Sequence, residues 1–417
     1  MLWDIYEQHQ EEAGFLWSQW EQALVSADHV LAELAPLEER LHAHLDGLVL
    51  GREPVVRRIL LPALASDDPE LIWTATSALL LGRVAGASEE ILERARSADD
   101  VALAAIRRAL EVLEPSDLPP WLSSLSQRED LRLQLLGLQV MGFHQCAPAV
   151  TCRSLSTHTS PRLAAAAIRA AGSSKVELAP TMLEQALASP ALEVRDAALE
   201  TGALQGYRAI WDCCRTALQD RSRITPRLLL LLALGGSERD LQNAEALLSN
   251  EELQPEVLWA LGFSGRITCA DACLAFMRHQ PVAALAGEAF TAITGLRIEG
   301  PYAAEREDAG ALEPIPIEQE KLDAHLLPDP TDTLPLPQAE AITHWWQQAR
   351  RHLNSQERYL EGRPLNSQTL QGALISSAMR RRHVLALALA IRSRGAHHVP
   401  TFAFSRRQLK VLSSGSP

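Results

Sequence analysis

His42, His44 and Asp46 alternate along one stretch, a spacing that first suggests a metal cluster. On a helix, residues two apart point about 200° apart, so the two imidazoles cannot readily share one ion. The trio reads as a solvated helix face, and His397-His398 reads as surface. Cys269 and Cys273 lie one helical turn apart, but no second Cys or His pair stands at zinc-finger distance. Buried thiols of this kind act as small hydrophobes, and Cys213-Cys214 reads the same way. A nucleophile needs a base and a group that orients the base; no such constellation is visible. GLVLGREP (Gly47 to Pro54) lacks the Lys-Ser/Thr ending of a phosphate-binding loop. The sequence therefore predicts no catalytic residue, no cofactor and no metal.

Binding chemistry is better represented. Residues 1–51 carry ten acids and only Arg40, while residues 362–417 carry nine bases and no acid. Opposite charge at the two ends predicts that they attract each other, or that each recruits a different partner. Arg380, Arg381, Arg382, Arg392, Arg394, Arg406, Arg407 and Lys410 could contact phosphates. Three successive helical positions cannot all face one way, however. With a chain total of -13, the residues before the basic tail carry -22 and would repel nucleic acid. The tail is expected to dock on the acidic N-terminal region or on an acidic partner. Trp259, in PEVLWALG, reads as core or as a stacking surface.

The elements that must position these residues are helical. Ala and Leu dominate an apolar content of 47%, aromatics make up 5%, and sheets would enrich β-branched and aromatic residues instead. The longest apolar run, Val384 to Ile391, is eight residues, against about 20 for a spanning helix. The acidic N-terminus shows no signal peptide, and six cysteines make no disulfide framework. A reduced, cytoplasmic protein without a membrane span is expected.

An apolar helix ending in Gly recurs at Gly82, Gly142, Gly172, Gly202, Gly235, Gly262 and Gly295, at intervals of 60, 30, 30, 33, 27 and 33. The missing member falls at Ile106 to Leu113, stopped by Pro115. Each unit reads as two helices broken by a Pro turn, as at Ser189-Pro190, and Gly is expected to end the second helix in a left-handed conformation. A thirty-residue helix pair cannot cover its own apolar face, so about eight pairs must stack. The phrase SPALEVRDAALETGA (Ser189 to Ala203) resembles the HEAT repeat, especially its short bacterial type.

The flanks differ. Residues 1–51, with Trp3, Tyr6, Phe15, Trp17 and Trp20, read as a helical cap or an aromatic docking surface; 52–297 as the repeat array; 298–337, with seven prolines, as an extended connector; 338–417 as a basic helical module. AGEAFTAITG (Ala286 to Gly295), LPLPQAEAITHWW (Leu334 to Trp346), RYLEGRPL (Arg358 to Leu365) and RRRHVLALALAI (Arg380 to Ile391) follow in an order similar to an uncharacterised bacterial HEAT-repeat family whose genes often sit in type VI secretion clusters. The fold class expected is all-α, an α-solenoid of about eight helix pairs with flanking helical modules. The resemblance implies a non-catalytic scaffold, an adaptor, chaperone or immunity-type partner, that binds a secretion component or an effector. Trp259, Trp345, Trp346, Tyr359, Arg363, Arg380, Arg381 and Arg382 are the candidate partner-binding residues. HEAT-like DNA glycosylases and bilin lyases are the enzymatic alternatives.

Overall fold

The computed structural model describes residues 1–305 and 331–414, and these are almost wholly helical. They divide into two compact units. One comprises Met1–Leu24, His29–Ile210 and Leu389–Pro417; the other comprises Val25–Asp28 and Trp211–Ala388. No helix among the described residues is long and apolar enough to cross a membrane.

The first unit opens with α1 (Trp3–Leu24) and α2 (Leu31–Leu50), which pack on each other and on α5 (Pro69–Leu81). Between them and α5, α3 (Arg52–Val55) and α4 (Leu61–Leu64) flank a π-helical turn, Val56–Leu60. Two of the five aromatic residues of α1 are spent inside: Trp17 stacks on Trp73 with ring centroids 5.2 Å apart, and Trp20 is fully buried, whereas Trp3 and Tyr6 are half-buried and Phe15 is exposed. Helix pairs then follow. α6 (Ala87–Ser97) precedes α7 (Asp100–Val112), a 3-10 helix Pro120–Gln127 precedes α8 (Leu131–Phe143), α9 (Ala149–Leu155) precedes α10 (Pro161–Ser173), and α11 (Pro180–Leu187) precedes α12 (Leu192–Leu204). The longer second helices pack in succession, α5 on α7, α7 on α8, α8 on α10 and α10 on α12. The stretch Ile106 to Leu113, which lacks the terminal Gly, lies in α7 and its C-cap, Leu113.

Their starts follow from local chemistry. Asp68 accepts the Glu70 and Leu71 N–H groups at the head of α5, Asp99 caps α7, and Asp130 caps α8. Proline fills the first position of α5 and α10, where its missing N–H costs nothing.

At Gly295, φ 77°, the expected left-handed glycine stop is present, but the ends of these helices correct the expectation. Gly142, Gly172 and Gly202 lie inside their helices, which run on past them. The left-handed stops come at Arg83, Gln145, Lys175 and Gly206, with φ of 48°, 57°, 57° and 71°. There the N–H groups of Cys146, Val176 and Tyr207 return to Met141, Ala171 and Gly202, the backbone pattern of a Schellman cap. The repeat glycines serve contact instead. A Cβ on Gly142 would sit 3.1 Å from the Ala170 Cα, and one on Gly172 would sit 2.7 Å from the Thr201 Oγ1. Each glycine admits the next second helix at close range. The 30-residue spacing therefore measures helix-to-helix contact more than helix termination.

The tail Leu389–Pro417 belongs to this unit and meets it in reverse order. Arg394 lies beside Gly206, the Lys175 ammonium donates to the Ala396 carbonyl, and the Gln145 amide donates to the His398 carbonyl. Arg108 donates to the Phe402 carbonyl, and Ser405 donates to Glu38 from both N–H and hydroxyl. Ser405 begins α22 (Ser405–Ser414). At Glu38 the end-to-end contact is thus made by a buried carboxylate with neutral donors, while Arg407 of the tail donates to the Glu111 carbonyl and lies over the Phe143 ring.

In the second unit, α14 (Pro226–Gly235), α16 (Gln254–Leu261) and α18 (Ala283–Thr294) again pack in succession. α13 (Ala209–Ala217), α15 (Glu238–Glu245) and α17 (Ile267–Phe276) are the helices that precede them. Beyond α18, Ala304 N–H donates to Leu336 O and Gln338 N–H to Tyr302 O, so the two described ends of the expected connector lie side by side. Pro314, Pro316, Pro328 and Pro330 lie outside the described residues. α19 (Ala339–Ala349) follows, then a hairpin of β1 (Tyr359–Leu360) and β2 (Arg363–Pro364). α20 (Ser367–Ser376) and α21 (Met379–Arg392) come next; the last turn of α21 passes into the first unit.

Candidate functional site

The C-terminal ends of α14, α16 and α18 leave carbonyls without intrahelical partners, and one contiguous stretch of chain supplies donors to all three. Arg358 donates to Ala233, Leu234 and Gly236 at the end of α14, at 2.7 to 3.0 Å. Arg381 Nη2 donates to Gly262 O, past the end of α16, at 3.1 Å. The hairpin turn donates Glu361 N–H to Ala292 O and Gly362 N–H to Ile293 O at the end of α18. Glu361 and Gly362 both have positive φ, 50° and 75°, the signature of the tight hairpin turn that matches strand twist. A Cβ on Gly295 would come within 2.6 Å of the Glu361 carbonyl, so this approach requires glycine.

A cleft of about 500 Å³ opens where these pieces meet. Its charged and hydroxylic lining is Glu288, Thr291, Arg297, Glu361, Ser376, Ser377 and Arg381. Glu288 Oε1 lies 3.6 Å from Arg380 and 3.8 Å from Arg381, and all three side chains are at most 12% exposed. Both guanidiniums lie over the Trp259 ring, at 4.6 and 5.4 Å, and Arg381 also lies 4.2 Å over Phe263. Burial lowers the proton affinity of Arg381, and Arg380 lowers it further, while Glu288 opposes both. Glu361 accepts from the Ser377 hydroxyl at 2.6 Å and faces Arg363 at 3.5 Å.

Of the eight residues singled out by sequence, Trp259, Arg380 and Arg381 come together here. Trp345 and Trp346 meet elsewhere, edge-on to Phe290, with the Trp346 indole donating to Asp271 at 2.7 Å. Arg350 grips the same Asp271. Tyr359 is buried on the hairpin, and its hydroxyl accepts from Asn354 N–H. Arg363 is exposed. Arg382 is fully buried, donates to Leu374 O, and is pushed down to about 10 by burial. Trp346, Tyr359 and Arg382 are buried, and Arg381, also buried, lines the cleft. Phe263, Glu288, Thr291, Arg358 and Glu361 were missed. Glu288 carried a signal, since it is the only charge in the otherwise apolar or neutral α18.

Burial pushes the thiols of Cys146, Cys152, Cys213, Cys269 and Cys273 upward, Cys152 to about 11, the opposite of an activated nucleophile. His44 Nδ1 lies 3.1 Å from His9 Nδ1, whereas His42 packs on Phe404, so the two imidazoles part as their spacing requires. Among the described residues no three His, Cys, Asp or Glu side chains gather to hold a metal.

No protein-family model matches the chain, and no curated protein matches it.

Proposed function

We propose that the chain is a protein-binding scaffold with no chemistry of its own, an α-solenoid of HEAT type working in the bacterial cytoplasm beside a type VI secretion apparatus. One observation carries the binding role. Val101, Leu131 and Leu192, in the first turns of α7, α8 and α12, are 56%, 49% and 43% exposed. A single exposed leucine needs no explanation. These three fall one and then about two repeats apart, on helices that pack in succession through α10. Packed helices stand about 8–10 Å apart, so Val101 and Leu131 stand one such spacing apart and Leu131 and Leu192, with α10 between them, about two. A partner helix would meet them with apolar residues about seven and then about fourteen apart, since seven residues rise about 10.5 Å.

The secretion assignment rests on the resemblance of the four C-terminal segments to that family. The test is affinity purification from bacteria expressing secretion genes, using wild-type chain and the double variant Leu131→Glu/Leu192→Glu. A secretion-gene product retained by the wild type and lost by the variant, at unchanged melting temperature, is expected. Equal retention by both would remove the line as the interface, and recovery of no such product would remove the secretion role.

A further inference from the structure

Arg381 has more hydrogen-bonding capacity than the fold consumes. Its Nη2 is used by Gly262, but its Nη1 is buried and finds no hydrogen-bond acceptor. The nearest carboxylate oxygen, on Glu288, is 3.8 Å from it, which is beyond hydrogen-bond reach. Thr291 lines the same cleft, and its Oγ1 is likewise buried without a partner. Leaving such groups unpaired is costly, and most so for a charged one.

The local charge has a sign. Glu288 is shared between Arg380 and Arg381, two cations to one anion. The second carboxylate of the lining, Glu361, is already occupied by Ser377 and Arg363, and Arg297 adds a further cation. Ala292, Ile298, Leu334 and Pro335 supply an apolar part of the wall. The size lies within the roughly 300–1,000 Å³ common to small-ligand sites.

We propose that this cleft binds a carboxylate attached to an apolar body, with its oxygens accepting from Arg381 Nη1 and Thr291 Oγ1 and the body lying on Ile298, Leu334 and Pro335. A guanidinium donating to a carboxylate makes a charge-assisted hydrogen bond, stronger than one between neutral groups. The carboxylate comes either from a free organic acid or from the C-terminus of a peptide.

Titration calorimetry on the full chain tests this with hexanoate and benzoate, their neutral amides, and a short apolar peptide with a free or an amidated C-terminus. Saturable binding of an acid or the free peptide is expected, at least tenfold tighter than its amide. The tighter of the two sources names the ligand class. Arg381→Lys should weaken binding more than tenfold. Because Arg381 also holds Gly262, the milder Thr291→Val, with its fold checked by circular dichroism, should weaken it several-fold. No saturable binding, equal binding of acid and amide, or a Thr291→Val variant that binds as the wild type would each overturn the proposal.

Discussion

His144 shows how burial turns one side chain into a pH liability. It is 8% exposed, its Nε2–H donates to Leu110 O at 3.0 Å, and its Nδ1 has no partner. Burial lowers its pKa to about 4, and the hydrogen bond to Leu110 only partly opposes this. The unfolded chain takes up the proton near pH 6.5 while the folded chain refuses it, so stability falls as pH drops from about 6.5 toward 4. At pH 5 the loss from this residue is about 2 kcal/mol. Urea unfolding at pH 7 and pH 5 checks it: His144→Gln, which keeps a donor for Leu110, should lose about 2 kcal/mol less than the wild type. Parallel losses in the two proteins would rule out this origin. His42 and His398 are lowered by burial too and add to the same trend. None of this is legible in the sequence, where His144 is one polar residue among thirteen of its type.

At the scale of elements, glycine decides between opposing effects. Replacing a helical Gly by Ala ordinarily stabilises by about 0.5–1 kcal/mol. Gly372 in α20 has nothing within 4 Å of an added Cβ, so Gly372→Ala should gain that amount. At Gly262 the added Cβ would stand 2.9 Å from the Ala289 Cα, a backbone atom that cannot swing away. Gly262→Ala should therefore lose about 1–3 kcal/mol by forcing α16 and α18 apart. Opposite shifts in chemical denaturation midpoint would confirm both signs; a gain at Gly262 would mean the helices separate freely. The second helices were legible because Pro, Asp and Gly punctuate them at a fixed interval. The meaning of the Gly was not, since a helix stop and a close contact use the same residue. The cleft was harder still. Glu288, Glu361 and Arg381 lie on α18, a two-residue turn and α21, and only the capping of three helix ends brings them together.

For the whole molecule, the termini are the point of interest. Charge segregation suggested that the ends attract, and residues 389–417 do pack in the unit that contains α1 and α2. The contact is narrower than a field of opposite charge. Glu38 is 5% exposed and accepts from the Trp20 indole at 2.9 Å as well as from Ser405. Glu38→Ala leaves these buried donors unpaired and should cost about 3 kcal/mol. Hydrogen exchange should then quicken in α1, α2 and α22 while α16 and α18 stay protected. A uniform rise across the chain would show that the contact supports more than its own unit.

The return of the tail past Gly206, Lys175 and Gln145 to Glu38 has a consequence for synthesis. A ribosome delivers α1 to α12 first, then residues 211–388 of the second unit, and only afterwards the strip that touches those early helices. The first unit to emerge therefore waits, with Glu38 and the Trp20 indole uncovered, until residues 389–417 arrive. Slowing or stalling translation near Arg392 would lengthen the interval in which a nascent chain exposes that surface to chaperones.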